Sequence, residues 1–355
     1  MRALYLAAHG GVDQVRFGEL PTPVPGRGEA LVRLAAAALN HLDLFVLGGI
    51  PGITLELPHV GGADGAGVVA ALGPEVSGWR EGDEVVLNPG LWCGECEFCG
   101  RGEESMCVRF GLLGEHVAGT FAEYVRAPAV NLGRRPAHLS WQEAAAFPLT
   151  FLTAWRMLTT RGRLASGETV LIHGIGGGVA LAALAIARRL GARVIVTSSA
   201  PEKLARAREL GADETIDYGR DDVTRAVRAL TGKRGVDLVV ETAGNATWMA
   251  SLRSAAKGGR IVTCGATTGP SPAEEVRLVF WNQLSILGST MGSRTDWNGM
   301  LEAVAGWRLR PVVDSVLPLE QGRDGYERLA RGGQFGKVVL QVGEVPTAPS
   351  QRDRT

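Results

Sequence analysis

The stretch TVLIHGIGGGVALAALAIARRLGARVIVTSS, residues 169–199, decides the fold class. Thr169 to His173 is an apolar run that reads as a buried strand, and glycines follow at 174, 176, 177 and 178. Gly178 to Leu190 reads as a helix, and Arg193 to Thr197 is again a β-branched strand. Strand, glycine turn, helix and strand make the βαβ unit of a parallel, doubly wound sheet. Glycines at such a turn let a pyrophosphate approach the helix N-terminus, where free N–H groups and the helix dipole favour an anion. The match is incomplete, because a G-x-G-x-x-G pattern starting at Gly174 needs a third glycine where Val179 stands. A methyltransferase can use the same G-x-G-x-G run for S-adenosylmethionine, so a transferase is the second reading.

The end of the second strand bears on which dinucleotide is bound. An NAD-selective fold places an acidic residue there to hold the ribose 2′-hydroxyl. Here Thr197, Ser198 and Ser199 are followed by Lys203 and Arg206. Small hydroxyls leave room for a 2′-phosphate and Lys203 can neutralise it, so NADP(H) is the favoured cofactor. NAD(H) is the alternative, with Glu202 meeting the hydroxyl.

Working outward, Pro201 to Leu210 reads as a helix with Pro at its first turn and Gly211 just past its end. Val236 to Glu241, Arg260 to Cys264 and Leu284 to Leu287 read as further strands. A helix near 297–306, strands at 312–316 and 336–342, and a polar tail at 343–355 without regular structure complete the C-terminal part. Residues 1–130 are rich in Gly, Pro and Val in short alternating segments, an all-β texture.

Composition excludes several classes. The 355 residues are 45% hydrophobic and 21% charged, enough for a real core and for two domains. Basic and acidic residues number 37 each, with no basic stripe, so nucleic acid is not an expected partner. No apolar run reaches the ~18 residues of a membrane span, and the apolar start is too short for a secretory signal. The cytoplasm is the expected compartment. Glycine is abundant at 49 residues but not in a G-X-Y register, so it marks turns and close backbone approaches rather than collagen.

Four of the five cysteines, Cys93, Cys96, Cys99 and Cys107, follow a C-x2-C-x2-C-x7-C spacing. Disulfides are unusual in the cytosol, and clustered thiolates need a cation among them. Four sulfurs suit a tetrahedral zinc with no open position, hence one structural zinc per chain. An iron–sulfur cluster is the rival, because C-x2-C-x2-C also opens ferredoxin motifs. There, however, the fourth Cys follows after three residues and precedes Pro. Cys264 reads as a small buried residue.

Taken together, the four-Cys lobe and the blocks GVDLVVETAG, GGRIVTCGATTG, LSILGST and FGKVVLQV resemble the zinc-containing medium-chain alcohol dehydrogenase and quinone oxidoreductase superfamily. The resemblance runs from MRALYL to about Gly343. It implies a GroES-like, mostly β catalytic domain over 1–130 and 291–355, with the zinc lobe at about 88–112. Residues 131–290 would form a Rossmann cofactor domain, so the two chain ends would meet in one domain. It further implies hydride transfer between nicotinamide and a small alcohol, carbonyl compound, quinone or activated alkene, in a homodimer or homotetramer. Thr242, Gly244, Gly265, Gly288 and Lys337 are carried over as cofactor contacts.

The departures from the family pattern are as informative. Where the alcohol dehydrogenases place the first catalytic-zinc ligand, this chain has Asn40-His41-Leu42-Asp43, with Asn in place of Cys. The block of the second ligand reads Gly62-Ala63-Asp64-Gly65-Ala66-Gly67, with Ala in place of His, and no ligand type occurs over 147–153. A catalytic zinc needs about three protein ligands, so none is expected. Candidate catalytic groups are then Asn40 as amide donor, His41 as donor or proton source and Thr153 as hydroxyl relay, with Asp43 and Asp64 orienting them. Each has a plainer alternative: Asp43 as a helix cap, His41 as a phosphate contact or core residue, Thr153 as packing. An improvised metal site at His41, His59 and Asp64 has suitable residue types but no supporting spacing. Phe45, Trp92, Phe110 and Trp281 are candidate pocket walls. The rival functions are an alcohol dehydrogenase whose zinc has unusual ligands and a non-catalytic NADPH-binding protein.

Overall fold

The computed structural model describes residues 1–344; beyond its first two residues, the expected tail at 343–355 lies outside the described residues. Contacts divide the chain into two units, residues 1–101, 107–149 and 310 onward against residues 102–106 and 150–309. Apart from the short excursion at 102–106, the chain crosses at 149/150 and 309/310, each later than the expected 130/131 and 290/291. The helix Trp141–Ala146 packs on strands of the first unit. The helix Arg294–Gly306 is tied into the second by a buried pair, Arg156 Nη1 to Asp296 Oδ2 at 2.6 Å.

The second unit contains a six-stranded sheet. In chain order its strands are β1 (Thr169–Ile172), β2 (Arg193–Ser198), β3 (Glu214–Asp217), β4 (Val236–Glu241), β5 (Ala255–Thr263) and β6 (Ser285–Gly288). Every pairing is parallel, in the spatial order 3-2-1-4-5-6. This is the doubly wound Rossmann arrangement, whose order reverses between β1 and β4. Parallel strands are covered on both faces, which is why they read as unbroken apolar runs. Val170, Leu171, Ile172, Val194, Ile195 and Val196 are all fully buried. The helix α1 (Gly178–Arg189) packs on β1 and β2 and buries Ala180, Ala182, Ala183 and Ala187, side chains small enough to permit close packing. Arg188 and Arg189 in its last turn complement the negative end of the helix dipole.

The first unit is mostly β. Its central strand Glu29–Ala38 pairs antiparallel with Asp64–Leu72, with Tyr124–Pro128 and with Lys337–Gln341. Val339 lies opposite Ala38, so strands from the two ends of the chain are neighbours and Lys337 comes beside Asn40. The run of alanines at 35–38 is buried throughout. Gly67 is required by the close strand approach, since a Cβ there would stand 2.0 Å from the Arg33 carbonyl oxygen. Phe121 and Tyr326 meet edge to face at 6.1 Å in this core, a contact adding about 0.5–1.5 kcal/mol beyond burial. Among the described residues no helix is long and apolar enough to cross a membrane.

Candidate cofactor and metal sites

The glycine turn lies at the carboxyl end of β1, beside the point where strand order reverses. Gly174 and Gly176 have φ of +66° and +123°, conformations that side chains disfavour. Gly177 caps α1 and, having no side chain, offers no oxygen to the helix's first turn. The N–H groups of Gly178 and Val179 therefore lack the usual capping partner, the arrangement that receives a phosphate. The turn is held from below, where Ile175 N donates to Thr197 O at 2.8 Å and Gly174 N to Thr197 Oγ1 at 3.3 Å. Thr242, Gly244, Gly265 and Gly288 all come at or just past the carboxyl ends of β4, β5 and β6. Gly244 has φ +82°, and a Cβ there would meet the Gly269 carbonyl oxygen at 2.4 Å. Cys264 is partly exposed rather than buried, because it has already left the sheet into this rim.

At the end of β2 the Ser198 hydroxyl accepts from Ala200 N, while Ser199 is exposed and its hydroxyl donates to the Tyr218 phenol at 3.3 Å. Lys203 is half-buried in the following helix, and Glu202 beside it is exposed. Tyr218 was not picked out from the sequence. It directly follows β3, and Ser198 pairs with Asp217 across the sheet.

The four cysteine sulfurs lie within 4.8 Å of one another, and this is the one such group of potential metal ligands among the described residues. Separations of 3.4 Å (Cys93–Cys107), 3.6 Å (Cys96–Cys99) and 4.0 Å (Cys93–Cys99) bracket the ~3.8 Å edge of a tetrahedron with Zn–S of about 2.3 Å. Backbone N–H groups of Cys93 and Arg109 donate to the Cys107 sulfur, both at 3.3 Å. The backbone N–H of Glu95 leads the groups that lower Cys93 to about 6, whereas burial pushes Cys99 up to about 12. The donor set thus fits a structural zinc. His41, His59 and Asp64 form no comparable group. His59 Nε2 is instead 3.0 Å from the Gly114 carbonyl oxygen.

The remaining candidates separate by unit. In the first, Asn40 precedes the helix His41–Gly48, and its N–H donates to Asp43 Oδ2 at 2.7 Å, closing the helix start. Asp43 also accepts from Gly62 N, and burial pushes its carboxyl up to about 7. The Asn40 amide is engaged on both sides: Nδ2 donates to Asp64 Oδ2 at 2.9 Å, and Oδ1 accepts from Lys337 Nζ. Lys337 Nζ also meets Asp64 Oδ2 at 2.8 Å, and both residues are almost wholly buried. The ammonium carried over as a cofactor contact is thus bound inside this unit by an amide and a carboxylate. The side chain of His41, first in its helix, makes no hydrogen bond among the described residues. Burial, and then the Lys337 charge, lower its pKa. Thr153 lies in the second unit, buried, with its hydroxyl 3.7 Å from the Met291 sulfur. Phe45, Trp92 and Phe110 belong to the first unit and Trp281 to the second, where it is 73% exposed.

Comparison with known proteins agrees with this geometry. Residues 26–137 match the alcohol dehydrogenase GroES-like domain family, and residues 178–306 the zinc-binding dehydrogenase family. An alcohol dehydrogenase of Geobacillus stearothermophilus is 34% identical over 331 residues, 91% of this chain and 95% of that protein. Acryloyl-coenzyme A reductase of Metallosphaera sedula is 32% identical over 343 residues, 96% of this chain and 99% of that one. Among solved structures, an NAD-dependent alcohol dehydrogenase superposes with a TM-score of 0.93 at 49% identity, covering 97% of this chain and 100% of its own.

Proposed function

Because this chain belongs to the medium-chain superfamily of zinc-containing alcohol dehydrogenases and quinone oxidoreductases, we propose that it moves a hydride between a nicotinamide dinucleotide and a small alcohol or carbonyl compound, a quinone or an activated alkene, using a structural zinc and no catalytic one. The observation that carries the zinc-free reading is the Lys337 ammonium seated on Asn40 and Asp64. The side chain at the first ligand position is already spent on a cation, and the second position is Ala63, which has no donor atom. A dication added there would face an ammonium in a buried site, where charges are weakly screened.

A bound nicotinamide supplies or accepts the hydride. The chain's own part is to hold the dinucleotide and steady the charge that develops on the substrate oxygen. The phosphates fall to the turn 174–178 and the N–H groups of α1. His41, whose lowered pKa favours the neutral ring and whose side chain has no hydrogen-bond partner among the described residues, is the group that donates to that oxygen. Asn40 and Asp43 act as supports, one for the lysine and one for the helix. Thr153 is the hydroxyl candidate of the second unit. At the ribose, Ser199, Lys203 and Tyr218 suit a 2′-phosphate and favour NADP(H). The name of the NAD-dependent structure at 49% identity supports NAD(H) as the alternative.

A panel of quinones, enones, aldehydes and alcohols, run with NADPH, NADH and their oxidised forms, tests the reading. Turnover of at least one class is expected. Failure of both nucleotides to bind, or a second zinc lost on His41→Ala, overturns it. In the same assay Lys203→Glu should weaken NADPH about tenfold or more, the worth of a hydrogen bond to a charged group at ~1.5–3 kcal/mol, and NADH much less. Equal effects would remove the 2′-phosphate from this position.

The edge strand β6 and the helix Val276–Asn282 before it supply the surface for a second copy. Val276, Phe280 and Trp281 are 61%, 61% and 73% exposed, and Ile286 of the edge strand is 39% exposed. A sheet edge can be continued by the same edge of a twofold-related chain, and apolar side chains beside it gain by being covered. Light scattering should give a dimer or a multiple of it for the native protein and a smaller species for Phe280→Glu/Trp281→Glu. A native monomer sinks the assignment.

A further inference from the structure

Beneath the cofactor rim of the second unit lies a set of buried polar side chains that the roles above leave unused. Glu241, the last residue of β4, is completely buried, and every group facing its carboxylate is a donor. Oε1 accepts from Ala243 N at 2.8 Å, Gly244 N at 3.0 Å and Thr247 Oγ1 at 2.7 Å, while Oε2 accepts from Ser251 Oγ at 2.6 Å. Ser251 Oγ is in turn 3.1 Å from His173 Nε2. His173 Nδ1 is 3.4 Å from Thr197 Oγ1, which accepts from Gly174 N.

The donor count fixes the direction of every bond. The single Ser251 proton goes to Glu241, so Ser251 accepts from His173 and the proton of the neutral ring sits on Nε2. Nδ1 is then an acceptor, and Thr197 gives it its only proton, leaving the Thr197 oxygen to accept from Gly174. Burial lowers the His173 pKa, consistent with a neutral ring. The chain thus runs unbroken from the first glycine of the phosphate turn, across β2, β1 and β4, to the amides of Ala243 and Gly244.

We propose that Glu241, Ser251, His173 and Thr197 act as one positioning relay. It fixes the phosphate turn at Gly174 and the loop at 242–244 relative to each other, and so presets the bed of the dinucleotide. The proposal rests on the cofactor reading above. These side chains touch no cofactor themselves; they act through the two loops. A buried hydrogen-bonded chain of this kind fails as a unit, because losing one member leaves its neighbours unpaired in an apolar environment.

The test is a double-mutant cycle on nucleotide affinity, read by fluorescence titration of the full-length protein with NADPH and NADH. Ser251→Ala and Thr197→Val should each raise the dissociation constant on the order of tenfold, and the double variant no further than the worse single one. Thr197→Ser, which keeps the hydroxyl, should restore affinity. Ser254→Ala is the control, because Ser254 lies in the same helix as Ser251 with a buried hydroxyl that has no partner among the described residues; its affinity should not change. Additive losses, or singles that bind like the native protein, overturn the relay. Binding of neither nucleotide by the native protein overturns instead the cofactor reading on which it rests. Should the variants fail to fold, nitrogen-15 NMR of the native protein decides: a neutral His173 with its proton on Nε2 is expected, and a proton on Nδ1 refutes the chain.

Discussion

Purified protein is expected to carry about one zinc per chain, and Cys107→Ser to carry almost none. The zinc loop encloses little apolar surface: Cys107 is buried, but Met106 and Val108 on either side are exposed. A loop with so small a core depends on its metal, and metal binding there is linked to folding. Its sulfurs already stand at tetrahedral spacing, so removing one ligand leaves three thiolates close together without the charge that holds them. The effect extends beyond the lobe. Between the third and fourth ligands lie Glu103 and Glu104, which bind Arg156 Nη2 at 2.6 Å and Arg294 Nε at 2.9 Å. Arg156 is only 3% exposed, so losing the Glu103 bond removes one of its two carboxylate partners. With free zinc held a thousandfold above its dissociation constant, linkage alone contributes about 4 kcal/mol, which chelation would abolish. Denaturant unfolding with and without a chelator, alongside elemental analysis, measures this. A chain that purifies without metal and unfolds identically in chelator would leave the four cysteines as plain thiols.

That lobe was legible in the sequence because all its ligands fall in one short segment, where spacing alone limits what they can hold. The βαβ unit was legible for a related reason. Strands buried on both faces must be apolar along their whole length, and the glycine turn stands between two of them. The strand Glu214–Asp217 was missed, because four residues of mixed polarity give no period to read. The Lys337 site was also beyond reach, since its members are 297 and 273 residues apart in sequence. Only the pairing of the central strand Glu29–Ala38 with Lys337–Gln341 and Asp64–Leu72 joins them, and nothing local to Asn40 announces a lysine. The Glu241 relay lies between these cases. His173 directly follows β1 and Glu241 ends β4, both buried, and a polar side chain so placed must find a hydrogen-bond partner. The residues could have been flagged, but their partners could not.

Lys337→Met is expected to destabilise the first unit by about 3–5 kcal/mol, the usual penalty for removing one partner of a buried ion pair. Lys337 and Asp64 are 4% and 0% exposed, so water cannot replace the ammonium. Asp64 keeps two donors, Leu149 N at 2.7 Å on Oδ1 and the Asn40 amide on Oδ2, but its charge is left unpaired. Asn40 Oδ1 loses its donor as well. Methionine keeps most of the stem volume, so the loss reports charge and hydrogen bonding rather than a cavity. Adding Asp64→Asn to this variant should recover a good part of the loss, because no buried charge remains to be compensated. Chemical denaturation of the native protein, the two single variants and the double variant supplies the coupling. A loss below 1 kcal/mol for Lys337→Met would mean that the ammonium does not hold Asn40 and Asp64. The first-ligand position would then be open to a metal, and the argument for chemistry without a catalytic zinc would fall with it.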